Sequence, residues 1–337
     1  MGTRRLNILI AVFWLVATGW LVREKVLPQL RRGTPPDYLV LNERQEPLET
    51  VVCWTIELIP VGTDPIERLG WAAGRVLPRS AGRTEIQNRV QLWQVPLSAI
   101  GGPMTRMLGL GRLEAERMPL GVNSSIHLDE RSQLSRFESS VTIGDGPVWC
   151  TITGVNSDGQ LDVSARLGKN IPRSIGSYQL GSESVVNDGN APRGYMPPLK
   201  VGQNWKTQQL SPLKPGGAGD VSSESLEANV MREEDIFWNG HLQKCWLVEF
   251  RRDSGAGSKW AETPLRQMWV RLSDGMVLRE DIQIVGLKLR FVRQPWKKGN
   301  RLADALEKDW SANVSEEMMP RDIHGHTENK PQKPKPN

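Results

Sequence analysis

Three cysteines are the residues of this chain best suited to covalent or metal chemistry, and each adjoins a tryptophan: VVCWTIEL (51–58), PVWCTITG (147–154) and LQKCWLVEF (242–250). A structural zinc site needs closely spaced Cys or His pairs. Cys53, Cys150 and Cys245 instead stand about a hundred residues apart with no histidine beside them. An odd thiol count leaves no complete disulfide framework, and Cys53 could pair with Cys245 only if their strands were neighbours. His127 and Cys150 are the nearest approach to a thiol–imidazole couple, but no third residue is placed to orient the ring. His241 stands in a turn-like WNGHLQ, and His324 and His326 (HGH) lie in a polar tail. The acidic pairs Glu233–Glu234 and Asp129–Glu130 read as solvated faces, and GLGRLE (109–114) lacks the preceding strand of a phosphate-binding loop. NSS (123–125) and NVS (313–315) match a glycosylation acceptor, a pattern common by chance. The sequence thus predicts no catalytic residue, no metal, no cofactor and a protein that is not an enzyme.

The elements that carry these residues alternate with period two. In 51–58, Val52, Trp54, Ile56 and Leu58 share one face, and Cys53 lies opposite with Thr55 and Glu57. Trp246, Val248 and Phe250 share a face, with Cys245, Leu247, Glu249 and Arg251 opposite. In 147–154 the order reverses, so Cys150 joins Val148 and Ile152 and reads as a small buried hydrophobe. TEIQNRVQL (84–92) and GQLDVSARL (159–167) alternate in the same way, the pattern of half-solvated antiparallel strands. Asp-Gly in NSDGQ (156–160) and SDGM (273–276) marks hairpins, the second turning about Asp274–Gly275. Gly286 reads as a bulge or turn. Further strands are expected at 51–59, 67–77, 134–143, 147–155, 226–236 and 243–252, although in ERLGWAAGRVL (67–77) the Ala-rich spacing permits a helix, and the two Gly and the following strand favour a hairpin. Two long loops are expected: 100–122, with a short helix around 104–118, and 168–220, rich in Gly, Pro, Ser and Asn.

The N-terminus, MGTRRLNILIAVFWLVATGWLVREK, places two arginines before seventeen uncharged residues, Leu6–Val22. As a helix that run is about 26 Å long, enough for a thin bilayer. Ala17 and Gly19 would also suit a signal-peptidase site. Continuation of the apolar run through Trp20–Val22 favours an uncleaved signal-anchor. Arg23, Lys25, Arg31 and Arg32 after the run point toward a cytoplasmic body under the positive-inside rule. The charged–apolar layout and the β-rich body point outward, and an extracytoplasmic, periplasmic or cell-surface location is expected. The organisation expected is an anchor (1–22), a juxtamembrane linker (23–48), a β body (49–300, or halves 49–167 and 198–300), a helix (301–319, with Leu302, Leu306 and Trp310 on one face) and a disordered tail (320–337). The fold class is mainly β, a curved antiparallel sheet or half-barrel with few helices behind one transmembrane helix. A net charge of +5 spread over 337 residues, without a basic face, excludes nucleic acid as the expected partner.

The series IERLGWAAGRVLP…TEIQNRVQL, SSIHLDERSQLSRFESSVTI, GQLDVSARL, LKVGQNW, WLVEFRRD and MWVRLSDGMVLRED resembles a group of exported bacterial β-rich proteins similar to the lipoprotein-carrier (LolA/LolB-like) half-barrel. The resemblance spans about 50–293 and implies a concave apolar face able to hold acyl chains. Thirteen tryptophans against five Phe and three Tyr fit such a wall. The residues expected to form it are Trp54, Ile56, Trp71, Val90, Leu92, Trp246, Val248, Phe250 and Trp269. The expectation is therefore a membrane-anchored binding protein, its partners being the membrane through residues 6–22 and a lipid or envelope protein. The alternative is a non-catalytic assembly protein of the cell envelope.

Overall fold

The alternation in VVCWTIELI forms strand β1 (Val51–Ile59) in a computed structural model of the chain. The structure describes residues 13–20 except 15, and 51–295 except 60–65, 80–81, 97–116, 131–132, 145, 180–191, 212–221, 253–262 and 285–286. After β1 come β2 (Glu67–Pro78), β3 (Thr84–Pro96), β4 (Arg117–Leu128), β5 (Leu134–Ile143), β6 (Val148–Ser157), β7 (Gln160–Leu167) and β8 (Arg173–Gln179). The second series is β9 (Asn204–Ser211), β10 (Ser222–Trp238), β11 (His241–Arg252), β12 (Arg266–Arg271), β13 (Val277–Ile284) and β14 (Leu287–Arg293).

All fourteen strands form one curved antiparallel sheet that does not close, in the order β8-β7-β6-β5-β4-β3-β2-β1-β14-β13-β12-β11-β10-β9. It is two meanders joined at a central seam, where β1 pairs with β14 so that Trp54 opposes Arg293 and Ile56 opposes Phe291. The two expected halves therefore share one sheet. The hairpins turn where the sequence supplies left-handed backbone: Asp158–Gly159 (φ 54° and 84°) and Asn239–Gly240 (φ 51° and 83°) have the paired positive φ of a type I′ turn.

β8 and β9 follow one another in sequence yet stand at opposite ends of the sheet, so their connection has to cross it. The described part, 192–203, forms a strap over the face that carries Trp54. The Met196 N–H donates to the Gly275 carbonyl (2.8 Å) and the Val277 N–H to the Gly194 carbonyl (3.1 Å). Near its other end Gly202 and Gln203 exchange backbone hydrogen bonds with Val230, both 2.9 Å. Met196 and Leu199 are buried in the same apolar cluster as Trp54.

Several expectations are corrected. The stretch 67–77 is neither helix nor hairpin but lies within the single strand β2. Its glycines serve close packing, because a Cβ at Gly70 would run into the Gln91 carbonyl of β3. The loop 100–122 ends in β4, which takes Arg117 and Met118 from the expected helix 104–118, and the loop 168–220 contains β8 and β9. RSIGSYQ and NWKTQQLS stand at sheet ends, where strong apolar alternation is not required, so the period-two signal is faint. Residues 13–20, except 15, are helical, but among the described residues no helix is long and apolar enough to cross a membrane. The rest of the expected anchor, the linker 23–48, the helix 301–319 and the tail 320–337 lie outside the described residues.

Candidate functional site

The register fixes which side chains share a face. Trp54 opposes Ala72, Ala72 opposes Val90, and Ile56 and Gly70 lead to Leu92. Across the seam Phe291 leads to Glu280, then Met268, then Val248. This inner face holds one apolar cluster running from Trp205 in β9 to Leu161 in β7. Large and small residues alternate across it: Trp54 sits beside Ala72, and a Cβ at Gly154 would strike the Phe137 ring. Full burial of a side chain the size of Ile56 contributes roughly 1.5–3 kcal/mol.

Of the nine expected wall residues, Trp54, Ile56, Val90, Leu92, Val248 and Phe250 are buried in this cluster, and Trp246 packs against it partly buried. Trp71 and Trp269 lie on the other face. Trp71 opposes Thr55 and Gln91, and Trp269 opposes Leu247 and Arg279. A step of one residue reverses a strand side chain, and in GWAAG it is Ala72, not Trp71, that faces with Trp54.

The inner face is not wholly apolar. Arg266 and Glu280, 5% and 0% exposed, pair there beside Phe250 and Met268. An Arg266 Nη2 hydrogen bond reaches Glu280 Oε2 at 2.9 Å, and the guanidinium lies 5.1 Å from the Phe250 ring centroid. Burial pushes the Glu280 carboxyl above its ordinary range, with Asp281 adding to this and Arg266 and Arg193 opposing it. Arg293 fastens the strap. Its Nη1 donates to the Gly194 carbonyl (2.6 Å), and the guanidinium lies 4.7 Å from the Tyr195 ring centroid and 5.7 Å from that of Trp54. The local sequence pattern does not mark the strap or these three charged residues. The only signal was an apolar GYMPPLK inside a Gly- and Pro-rich stretch.

The thiols take their places by parity. Cys150 is in the inner cluster, whereas His127 faces outward, opposite Glu85 and Arg136 and 3.2 Å from Ser125 Oγ. The two are thus on opposite faces of the sheet. Cys53 and Cys245 are not joined in a disulfide, with β14, β13 and β12 between their strands, a separation of roughly 19 Å at ordinary strand spacing. Burial, with Asp235, Asp274 and Glu234 adding and Arg271 opposing, pushes the Cys245 thiol up to about 12. Among the described residues no cluster of three or more His, Cys, Asp or Glu could hold a metal ion.

The outer face carries polar networks. Glu85 accepts hydrogen bonds from Gln87, Arg79 and Ser125. These outweigh its burial and hold it at about 2. Asp281 is bracketed by Arg279 (2.7 Å), Arg290 (3.0 Å) and Lys288 (3.9 Å). A second apolar cluster of Ile236, Cys245, Leu247, Trp269 and Leu278 lies beneath the end of the β10–β11 hairpin.

No family model matches the chain, and no curated protein matches it in sequence. Among solved structures it is similar to a beta-barrel-like protein of the domain of unknown function DUF1849 from Brucella abortus. That likeness has 9% identity and a TM-score of 0.42, covering 72% of this chain and 94% of that one. It is also similar to the hypothetical lipoprotein YmcC from Escherichia coli K12, at 11% identity and a TM-score of 0.26, covering 75% of this chain and 90% of that one. Both likenesses are loose, and neither protein is described as a lipoprotein carrier.

Proposed function

We propose that this chain is a membrane-tethered, non-catalytic binding protein whose body lies outside the cytoplasm and whose inner face takes the acyl chain of a lipid or lipid-linked molecule in place of the strap. The observation that carries this reading is the manner in which the strap is held. Backbone hydrogen bonds fasten it at Gly194–Met196 and at Gly202–Gln203. Pro197 and Pro198 between them have no N–H, so this middle part cannot add to the sheet as a strand. Between these fastenings Leu199 rests on the inner face chiefly by side-chain packing, beside the buried Met196 side chain, and an acyl chain could replace that packing. The tether is supported by the helical residues Phe13, Trp14, Val16 and Trp20, which expose apolar side chains that the body does not cover. The outward location is supported by the layout of Arg4 and Arg5 ahead of the apolar run together with the β-rich body.

The test uses the full chain purified in detergent. Mass spectrometry is expected to find lipid bound with fixed stoichiometry. A fluorescent fatty acid is expected to bind and to raise hydrogen exchange at the Met196 and Leu199 amides. A lipid-free chain whose strap exchange is unmoved by fatty acid would overturn the reading. The position of β8 and β9 at the two ends of the sheet favours a second reading, assembly with an envelope partner through strand addition. That reading predicts exchange protection in β8 or β9 on addition of an envelope extract and none in the strap.

A further inference from the structure

The end of the β10–β11 hairpin uses only one of its faces for folding. β12 pairs with Cys245–Phe250 alone, so the hairpin runs on past it, and a register shift between Val230 and Arg232 allows the extension to bend. Ile236 on its underside packs against Trp269 and Leu278, and the Trp238 indole N–H donates to the Arg293 carbonyl (2.8 Å). On the upper side Phe237 and Leu242 stand directly opposite one another, 75% and 70% exposed. A tight Asn239–Gly240 turn holds this pair at the tip. The packing of the body gives neither side chain a role.

A basic stripe begins on the outer face beside the apolar cluster under the hairpin. The Arg279 guanidinium lies 4.1 Å from the Trp269 ring centroid, at the margin of the hairpin. From Arg279 the outer face continues through Asp281, Lys288 and Arg290 to Glu57, which opposes both Arg290 and Arg68. Four basic residues thus accompany two acidic ones. At the tip itself Asp235 opposes Lys244, Glu234 pairs with Arg232 (3.1 Å), and the exposed Glu233 opposes Trp246.

We infer that Phe237, Leu242 and the outer-face Arg279–Lys288–Arg290–Arg68 stripe form a docking surface for the anionic lipid bilayer to which the chain is tethered. An exposed apolar pair on a surface where basic residues outnumber acidic ones, with Lys288 about half exposed, is an arrangement that seats a protein in the headgroup region. Lipid is favoured over a protein partner because the chain carries a second exposed apolar element, Phe13, Trp14, Val16 and Trp20, which is the proposed membrane tether. Residues 21–50 join that element to β1 and can span up to roughly 100 Å, so the body can reach the surface in this orientation. The inference rests on the membrane tether proposed above but not on acyl-chain binding.

The native thiols are all buried, so one introduced cysteine can be labelled alone. The full chain carrying Phe237→Cys with an environment-sensitive fluorophore is placed in nanodiscs of phosphatidylcholine, with or without phosphatidylglycerol. The control label is Ile171→Cys, also exposed. The label at 237 is expected to shift to the blue and be quenched by brominated acyl chains in anionic discs, while the label at 171 is not. Lys288→Gln is expected to lower the inserted fraction roughly fivefold where insertion is partial, and 1 M salt to abolish the difference between the two disc types. A label at 237 as wet as that at 171 in anionic discs would overturn the inference. So would a blue shift that follows protein concentration rather than lipid, since that marks a second copy at the tip. A dry label in a chain that binds no fatty acid would sink the acyl-chain reading and keep this one.

Discussion

The Trp238 indole N–H donates to the backbone carbonyl of Arg293 at 2.8 Å, joining a hairpin tip to a strand end across 55 residues of sequence. The bond ends on a main-chain atom of the residue whose side chain, on the opposite face, holds the strap through Gly194 and Tyr195. One residue of β14 is thus tied to both the outer hairpin and the inner strap. Trp238→Phe keeps a ring beneath the Arg271 guanidinium but removes the donor. It is expected to cost about 1 kcal/mol in urea denaturation and to speed exchange of the 236–242 amides well before global unfolding.

Arg266 and Glu280 form a buried pair that a single substitution leaves half-solved. Arg266→Met or Glu280→Leu alone is expected to destabilise by about 3–5 kcal/mol, and the double variant to recover most of that loss. Equal and additive losses in urea titrations would show that the two charges do not depend on one another.

Gly275 has φ 75°, and a Cβ there would collide with the Met196 carbonyl. Gly275→Ala is therefore expected to release the Gly194–Met196 end of the strap before it unfolds the sheet. Proteolysis should cut within 192–199 while the β12–β13 amides stay protected. If the strap is what a ligand replaces, fatty-acid affinity rises in the same variant.

Burial pushes the Cys150 and Cys245 thiols up, the latter to about 12, and all three cysteines are buried and in no disulfide. Thiol reagents at pH 8 are expected to modify the folded protein only at the rate of unfolding and to find three thiols in denaturant. A fast-reacting thiol in the native state would contradict the placement of the three in the sheet.

Acid should weaken the fold through its outer face. Glu85 is held at about 2, against an ordinary 4.5, by Gln87, Arg79 and Ser125 overcoming its burial, and Asp281 is lowered in the same way by Arg279 and Arg290. The unfolded chain takes up these protons first, so their contribution is complete above about pH 4.5 and is lost as pH falls toward 2. Glu280 runs the other way. Its raised value means that the folded state binds this proton more tightly than the unfolded chain does, so its contribution declines as pH rises past the ordinary carboxylate range. Glu85→Gln is expected to flatten the acid limb of Tm against pH, at a cost of about 1 kcal/mol at neutral pH.

Much of the local structure is legible in the residues. Period two located β1, β3, β5 and β7 within a few residues of their ends, and Asp-Gly pairs located the β6–β7 and β12–β13 turns. Parity within a strand also gave the correct sides for Cys53 against Trp54 and for Cys245 against Trp246. Parity between strands did not carry over. Trp71 and Trp269 were grouped with Trp54 because tryptophan suits a wall, yet the register turns both to the outer face.

What the sequence determined by itself was the kind of object this is: a β protein whose alternation, Gly turns and β-branched runs encode antiparallel strands one at a time. Those signals act between residues close in the chain. The tertiary structure decided the rest. It paired β1 with β14, separated Cys53 from Cys245 by three strands and sent the 192–203 strap across the inner face. It also laid Trp238 on Arg293 and buried Arg266 with Glu280. Each of these joins residues through register and curvature, and a one-residue change in register reverses which side chains meet without altering the pattern along any strand.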